Sequence, residues 1–101
     1  MEALQHTRDV VPLDRDWRRC IHPDPTRYLK QLSSRGYAPE VVVSSWLPEP
    51  RVSVVYRARD GRVASVCNEN CAYPPTEEQL SALFWQATDE LCRVLGAPLS
   101  E

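Results

Sequence analysis

Arg51-Val52-Ser53-Val54-Val55-Tyr56-Arg57-Ala58-Arg59-Asp60-Gly61-Arg62-Val63-Ala64-Ser65-Val66-Cys67 decides the fold, because two alternating runs meet at an Asp-Gly step. That step predicts a β-hairpin with a type I′ turn, whose central residues both need φ > 0. Centring the turn on Asp60 and Gly61 sets Arg59 opposite Arg62, Ala58 opposite Val63, Arg57 opposite Ala64 and Tyr56 opposite Ser65. One face then carries Val52, Val54, Tyr56, Ala58, Val63, Ser65 and Cys67, an apolar set suited to a core. The other carries Arg57, Arg59 and Arg62 near the turn, with Val55 and Val66 further along.

Working outward, Glu40-Val41-Val42-Val43-Ser44-Ser45-Trp46-Leu47 is β-branched and ends at Pro48-Glu49-Pro50, which predicts a third strand joined to the hairpin. A one-residue slip in the proline loop moves Trp46 from one face to the other, so the register of this strand stays open. Ahead of it, Asp24 caps a helix with Pro25 at its first position, Tyr28, Leu29 and Leu32 on its apolar face, and Gly36 past its end. Behind the hairpin, Thr76-Glu77-Glu78-Gln79 has the form of a capping box and opens a long helix to about Leu95. Leu80, Leu83, Phe84, Ala87, Leu91, Val94 and Leu95 form its stripe, and Gly96 and Pro98 end it. At about 100° per residue, Trp85 projects roughly 140° from the centre of that stripe, beside Ser81, Thr88 and Cys92.

The expected architecture is therefore α+β: helix, three-stranded antiparallel sheet, helix, with both helices on one sheet face. Residues 1–23 read as an N-terminal arm with an extended piece at Val10 and Val11 and a helical turn after Asp14, anchored by Trp17. Residues 24–96 form the core domain, and residues 97–101 a tail. A chain of 101 residues is long enough for one core, and its 43% hydrophobic content argues against disorder.

The net charge of −2 conceals an asymmetry. Residues 1–38 hold seven basic and five acidic side chains, residues 39–67 four and three, and residues 68–101 one and six. An acidic last third excludes a general nucleic-acid coat, which needs a broad basic surface. Lys30 is the one lysine in an otherwise all-arginine basic set, a bias that fits a GC-rich bacterial or phage genome. With no leader-like start and no apolar run of membrane-spanning length, the expected location is cytoplasmic, where Cys20, Cys67, Cys71 and Cys92 stay thiols.

Three kinds of chemistry follow. Arg57, Arg59 and Arg62 offer forked, charge-assisted hydrogen bonds to phosphate or carboxylate, and Arg59 facing Arg62 is a repulsion that an acidic ligand relieves. Cys20, His22, Cys67 and Cys71 supply the number of ligands a structural zinc needs, although neither half has Cys-x-x-Cys spacing. His6 and His22 lack an orienting carboxylate and nucleophile in any catalytic pattern, and the three glycines Gly36, Gly61 and Gly96 are spent on turns and caps rather than on a phosphate loop.

The order helix, three antiparallel strands, helix over residues 24–95 is similar to that of the double-stranded-RNA-binding domain, and Tyr28-Leu29-Lys30-Gln31-Leu32 resembles its first helix. The resemblance implies a lysine-rich grip on phosphates at the start of the second helix. Here that position reads Pro75-Thr76-Glu77-Glu78-Gln79, whose carboxylates repel an RNA backbone. Leu47-Pro48-Glu49-Pro50-Arg51 also stands where the family carries a glycine-proline-histidine loop. The resemblance thus implies the scaffold without its RNA-binding residues, and points to a protein-binding descendant.

Together these features predict a small non-enzymatic interaction protein, of inhibitor, antidote or adaptor type. Arg57, Arg59 and Arg62 dock an acidic protein surface, with Trp85 and Trp46 as apolar anchors. No cofactor and no membrane partner are expected. Nucleic acid held by the same arginines and a zinc-stabilised domain are the alternatives, and an edge strand or the last helix is the route to a homodimer.

Overall fold

The computed structural model describes residues 17–44 and 48–96. Along the chain run a 3-10 turn (Trp17–Cys20), α1 (Thr26–Ser34), β1 (Tyr37–Ser44), β2 (Arg51–Ala58), β3 (Val63–Val66), β4 (Cys71–Ala72) and α2 (Glu77–Leu95). Trp46, the arm through residue 16 and the tail from residue 97 lie outside the described residues. The domain is α+β: an antiparallel sheet in the order β1-β2-β3, with β4 pairing β2 beyond β3, and two helices.

β2 is the central strand, paired with β1 on one side and with β3 and β4 on the other, and Val55 on its outer face is buried as well. Val52, Val54 and Tyr56 are fully buried beneath the helices, whereas Arg57 on the opposite face is exposed. Across the ladder, Val52 faces Val43, Val54 faces Val41 and Tyr56 faces Pro39, so β1 shares this inner face. Phe84, Leu80 and Leu91 of α2, Leu32 of α1 and Ile21 after the 3-10 turn complete the core. Residues 17–22, assigned to the arm from sequence, thus contribute Ile21 (2% exposed) to the interior, with Trp17 and Cys20 packed against it.

The hairpin turn differs from the type I′ expectation. Among its residues only Gly61 has positive φ (+92°), Ala58 O accepts the Gly61 N–H at 2.9 Å, and Ala58 N–H donates to Arg62 O at 2.8 Å. This is the three-residue loop with a left-handed glycine at a bulge, which spares Asp60 the left-handed region. The Asp60 carboxylate takes the Arg62 N–H at 3.0 Å instead. In consequence Arg57 faces Val63 rather than Ala64, and a second irregularity, with Ala64 as the extra residue, returns Tyr56 to face Ser65 as predicted. Val63 is pushed to the outer face and is 46% exposed, while Ala64 packs on the core. Arg59 no longer faces Arg62, so the predicted like-charge pair does not form.

α2 is bounded where its signals put it, whereas α1 starts one residue later than expected, with Pro25 at the N-cap position and Thr26 as the first helical residue. Thr76 Oγ1 accepts the Gln79 N–H at 3.1 Å and Gln79 Oε1 accepts the Thr76 N–H at 3.1 Å, a complete capping box. Asp24 Oδ1 accepts both the N–H and the hydroxyl of Thr26 (3.0 and 2.7 Å), and the hydroxyl bond leads in holding this carboxyl below its usual pKa. The α2 stripe is wider than expected on one side, since Ser81 and Thr88 are buried along with its apolar members. Val94, expected in the stripe, is 60% exposed, whereas Leu95 in the same turn packs against the core.

Candidate interaction surfaces

Two of the three hairpin arginines are paired with carboxylates of the chain. Arg57 Nε is ion-paired with Glu40, its diagonal neighbour on β1, and its Nη1 donates to Gly61 O at 2.9 Å. Arg62 Nε folds back onto Asp60 Oδ2 at 2.8 Å. The Arg62 backbone N–H, followed by its side chain, lowers the Asp60 pKa, and the carboxylate in turn raises that of the guanidinium. Arg59 alone of the three has no carboxylate partner among the described residues, and it lies against Gly36, beyond the end of α1. Exposed pairs of this kind contribute little to stability, but they neutralise the charge that an acidic ligand was expected to meet.

Unpaired cations gather elsewhere. Three clefts adjoin along the outside of α1. The first, of 420 Å³, includes Arg18, Leu29 and Lys30, and the second, of 480 Å³, shares those residues and adds Ser33, Ser34 and Tyr37. The third, of 250 Å³, shares Tyr37 and is lined by Arg35, Gly36, Arg59 and Asp60. Arg18 lies over the Trp17 ring at 5.6 Å, and none of Arg18, Lys30, Arg35 and Arg59 pairs with a carboxylate among the described residues. Sequence reading placed Lys30 on the first helix and Arg35 at its end, but Arg59 reaches them only because the hairpin turn folds against the connection from α1 to β1.

Trp85 is half-buried and held from two sides. Its indole N–H donates to His22 O at 3.0 Å, and its ring stands edge-on to Tyr28 (centroids 5.1 Å, 84°) and Phe84 (4.9 Å, 82°). Beside it opens a cleft of 630 Å³ lined by His22, Glu77, Glu78, Ser81, Ala82 and Thr76. The residue types here are those of a hydrolytic triad, but the bonds are not. Ser81 Oγ accepts the His22 backbone N–H (2.9 Å) and donates to Cys20 O (3.4 Å), whereas the imidazole Nε2 meets Glu77 at 3.3 Å. Serine and imidazole are not joined, so the hydroxyl has no general base.

The candidate zinc ligands are split. Cys67 is buried with Sγ on Gln86 Oε1, and Cys71 faces Val52, while Cys20 and His22 meet α2 at Ser81. Ser81 and Gln86 are five positions apart, or roughly 140° around the helix at about 100° per residue, so α2 stands between the two halves. No group of three or more His, Cys, Asp or Glu side chains among the described residues could hold a metal ion. Burial pushes the Cys67 and Cys71 thiols up, away from the thiolate a metal needs. None of the four cysteines forms a disulfide.

No family model, curated protein or solved structure matches the chain, so kinship with the double-stranded-RNA-binding domain has no support beyond the order of elements. Among the described residues no helix is long and apolar enough to cross a membrane.

Proposed function

We propose that the protein is a non-enzymatic interaction module that binds an acidic protein partner through the cation-lined clefts outside α1. The observation carrying this reading is that Arg18, Lys30, Arg35 and Arg59 line adjoining clefts without carboxylate partners among the described residues, whereas Arg57 and Arg62 are paired within the chain. Of the original arginine set, Arg59 remains a contact residue. Guanidinium groups suit carboxylates because two parallel N–H bonds can reach both oxygens. An acidic polypeptide is favoured over nucleic acid because the cationic area is local and α2 carries Glu77, Glu78, Asp89 and Glu90. Cytoplasmic inhibitor, antidote or adaptor roles of bacterial or phage type fit such a module.

The test is titration of a labelled aspartate- and glutamate-rich peptide, and of single-stranded RNA of matched length, at low and moderate salt. The expected result is peptide binding that weakens with salt and falls about tenfold or more in an Arg35→Glu/Arg59→Glu variant. Wild-type affinity in a folded variant sinks the reading, and tighter binding of the RNA replaces it with the nucleic-acid alternative.

A further inference from the structure

Among the described residues the sheet has one edge that is long and continuous. β1 is its terminal strand, and eight residues of it pair with β2 without a break in register. The opposite edge is divided: β3 ends at Val66, and pairing with β2 resumes only at Cys71 after the exposed Asn68, Glu69 and Asn70. A divided edge is a poor template for another strand.

Hydrogen-bond parity shows which β1 groups the free edge presents. Val54 O accepts the Cys67 N–H and Ala58 N–H donates to Arg62 O, so the even-numbered residues of β2 bond toward β3. The odd-numbered ones, Arg51, Ser53, Val55 and Arg57, therefore bond toward Ser44, Val42, Glu40 and Ala38. Tyr37, Pro39, Val41 and Val43 consequently turn their backbone groups outward. Pro39 fits this pattern, since its missing N–H falls on the side with no ladder. It blunts the first half of the edge, and among the described residues no strand pairs on the outer side of Val41 to Val43. Val43 belongs to the inner face by register yet is 40% exposed, so neither helix covers that end of the strand.

We propose that a second copy of the chain pairs on this edge, β1 to β1 and antiparallel, with a two-fold axis through Val42. In that register Val41 faces Val43 of the second copy and the reverse, and each such pair exchanges both outward hydrogen bonds. Val42 faces Val42 of the second copy across a pair without backbone bonds, and Glu40 faces Ser44. The segment is self-complementary: β-branched residues meet each other, and no like charges face directly. Because only one edge is continuous among the described residues, the pairing closes as a dimer instead of extending into a filament. The ladder is short, so the dimer is weak and concentration-dependent. This inference is independent of the cationic surface on α1.

Sedimentation velocity over a concentration series tests it, together with two variants. Val43→Pro removes an N–H that points away from β2, so the fold is expected to persist by circular dichroism while self-association weakens about tenfold or more. Val42→Cys places a thiol against its own symmetry mate, and mild oxidation is expected to give a 42-to-42 disulfide identified by peptide mass spectrometry, absent from the wild-type control. A wild-type chain that stays monomeric to its solubility limit overturns the proposal, including the case in which the edge serves an extended peptide of another protein. So does undiminished dimerisation of Val43→Pro, or failure of Val42→Cys to cross-link in a folded protein.

Discussion

The Tyr56 hydroxyl lies 2.7 Å from Thr88 Oγ1 in the buried seam between β2 and α2. The direction of this bond is fixed by its neighbour. Thr88 Oγ1 donates its single proton to Phe84 O at 2.8 Å, so it can only accept from Tyr56. Sheet and helix are thus tied by a chain of hydroxyl bonds within the core.

That directionality predicts unequal mutational effects. Tyr56→Phe removes the donor and leaves Thr88 still bonded to Phe84 O, costing about 0.5–1.5 kcal/mol. Thr88→Val strands the buried phenol without an acceptor, costing about 1–3 kcal/mol. Urea unfolding of the two variants checks the order, and equal losses would contradict the assigned direction.

The same phenol predicts alkaline sensitivity. Burial leads in raising the Tyr56 pKa from 10.0 to about 12. The folded state favours the neutral phenol, so its contribution is complete below pH 10 and is lost as pH rises toward 12. Melting temperature should fall across that window in wild type and fall less in Tyr56→Phe.

Trp85 gives a prediction about the segment before α1. Its indole N–H holds His22 O, and its ring packs against Tyr28. Trp85→Phe keeps an aromatic ring and deletes the bond, with an expected loss of about 1 kcal/mol. Hydrogen exchange should quicken at Ile21 and His22 while the β2 amides stay protected.

Gly61 separates backbone strain from packing. A Cβ built on it meets nothing within 4 Å, yet its φ is +92°. Gly61→Ala should therefore cost about 1 kcal/mol through the left-handed backbone alone. Thermal unfolding measures the loss, and a neutral outcome would mean that the loop relaxes to another turn.

Helix limits and their caps were legible in Thr76-Glu77-Glu78-Gln79 and Gly96 because capping is a contact among near neighbours. The strand pair was legible for the same reason, down to Tyr56 facing Ser65. The three-residue loop was not, because Asp-Gly serves two turn types that differ by one loop residue, and the bulge at Ala64 then restores the register at Tyr56. The pairing of the hairpin arginines was only partly legible: Glu40 is brought beside Arg57 by the β1 ladder, whereas Asp60 reaches Arg62 through the local turn.

By itself the sequence determined the α+β class, the order of elements, the central place of β2 and the alternation that buries Val52, Val54 and Tyr56. These follow from hydrophobic period and short-range backbone bonding, which neighbouring residues specify. Only the tertiary structure decided which cations remain unpaired, how Trp85 is held, why four zinc-type ligands stay apart on two flanks of α2, and which edge of the sheet is continuous. Those properties depend on distances between residues far apart in the chain, and such distances are fixed only when the helices close over the sheet.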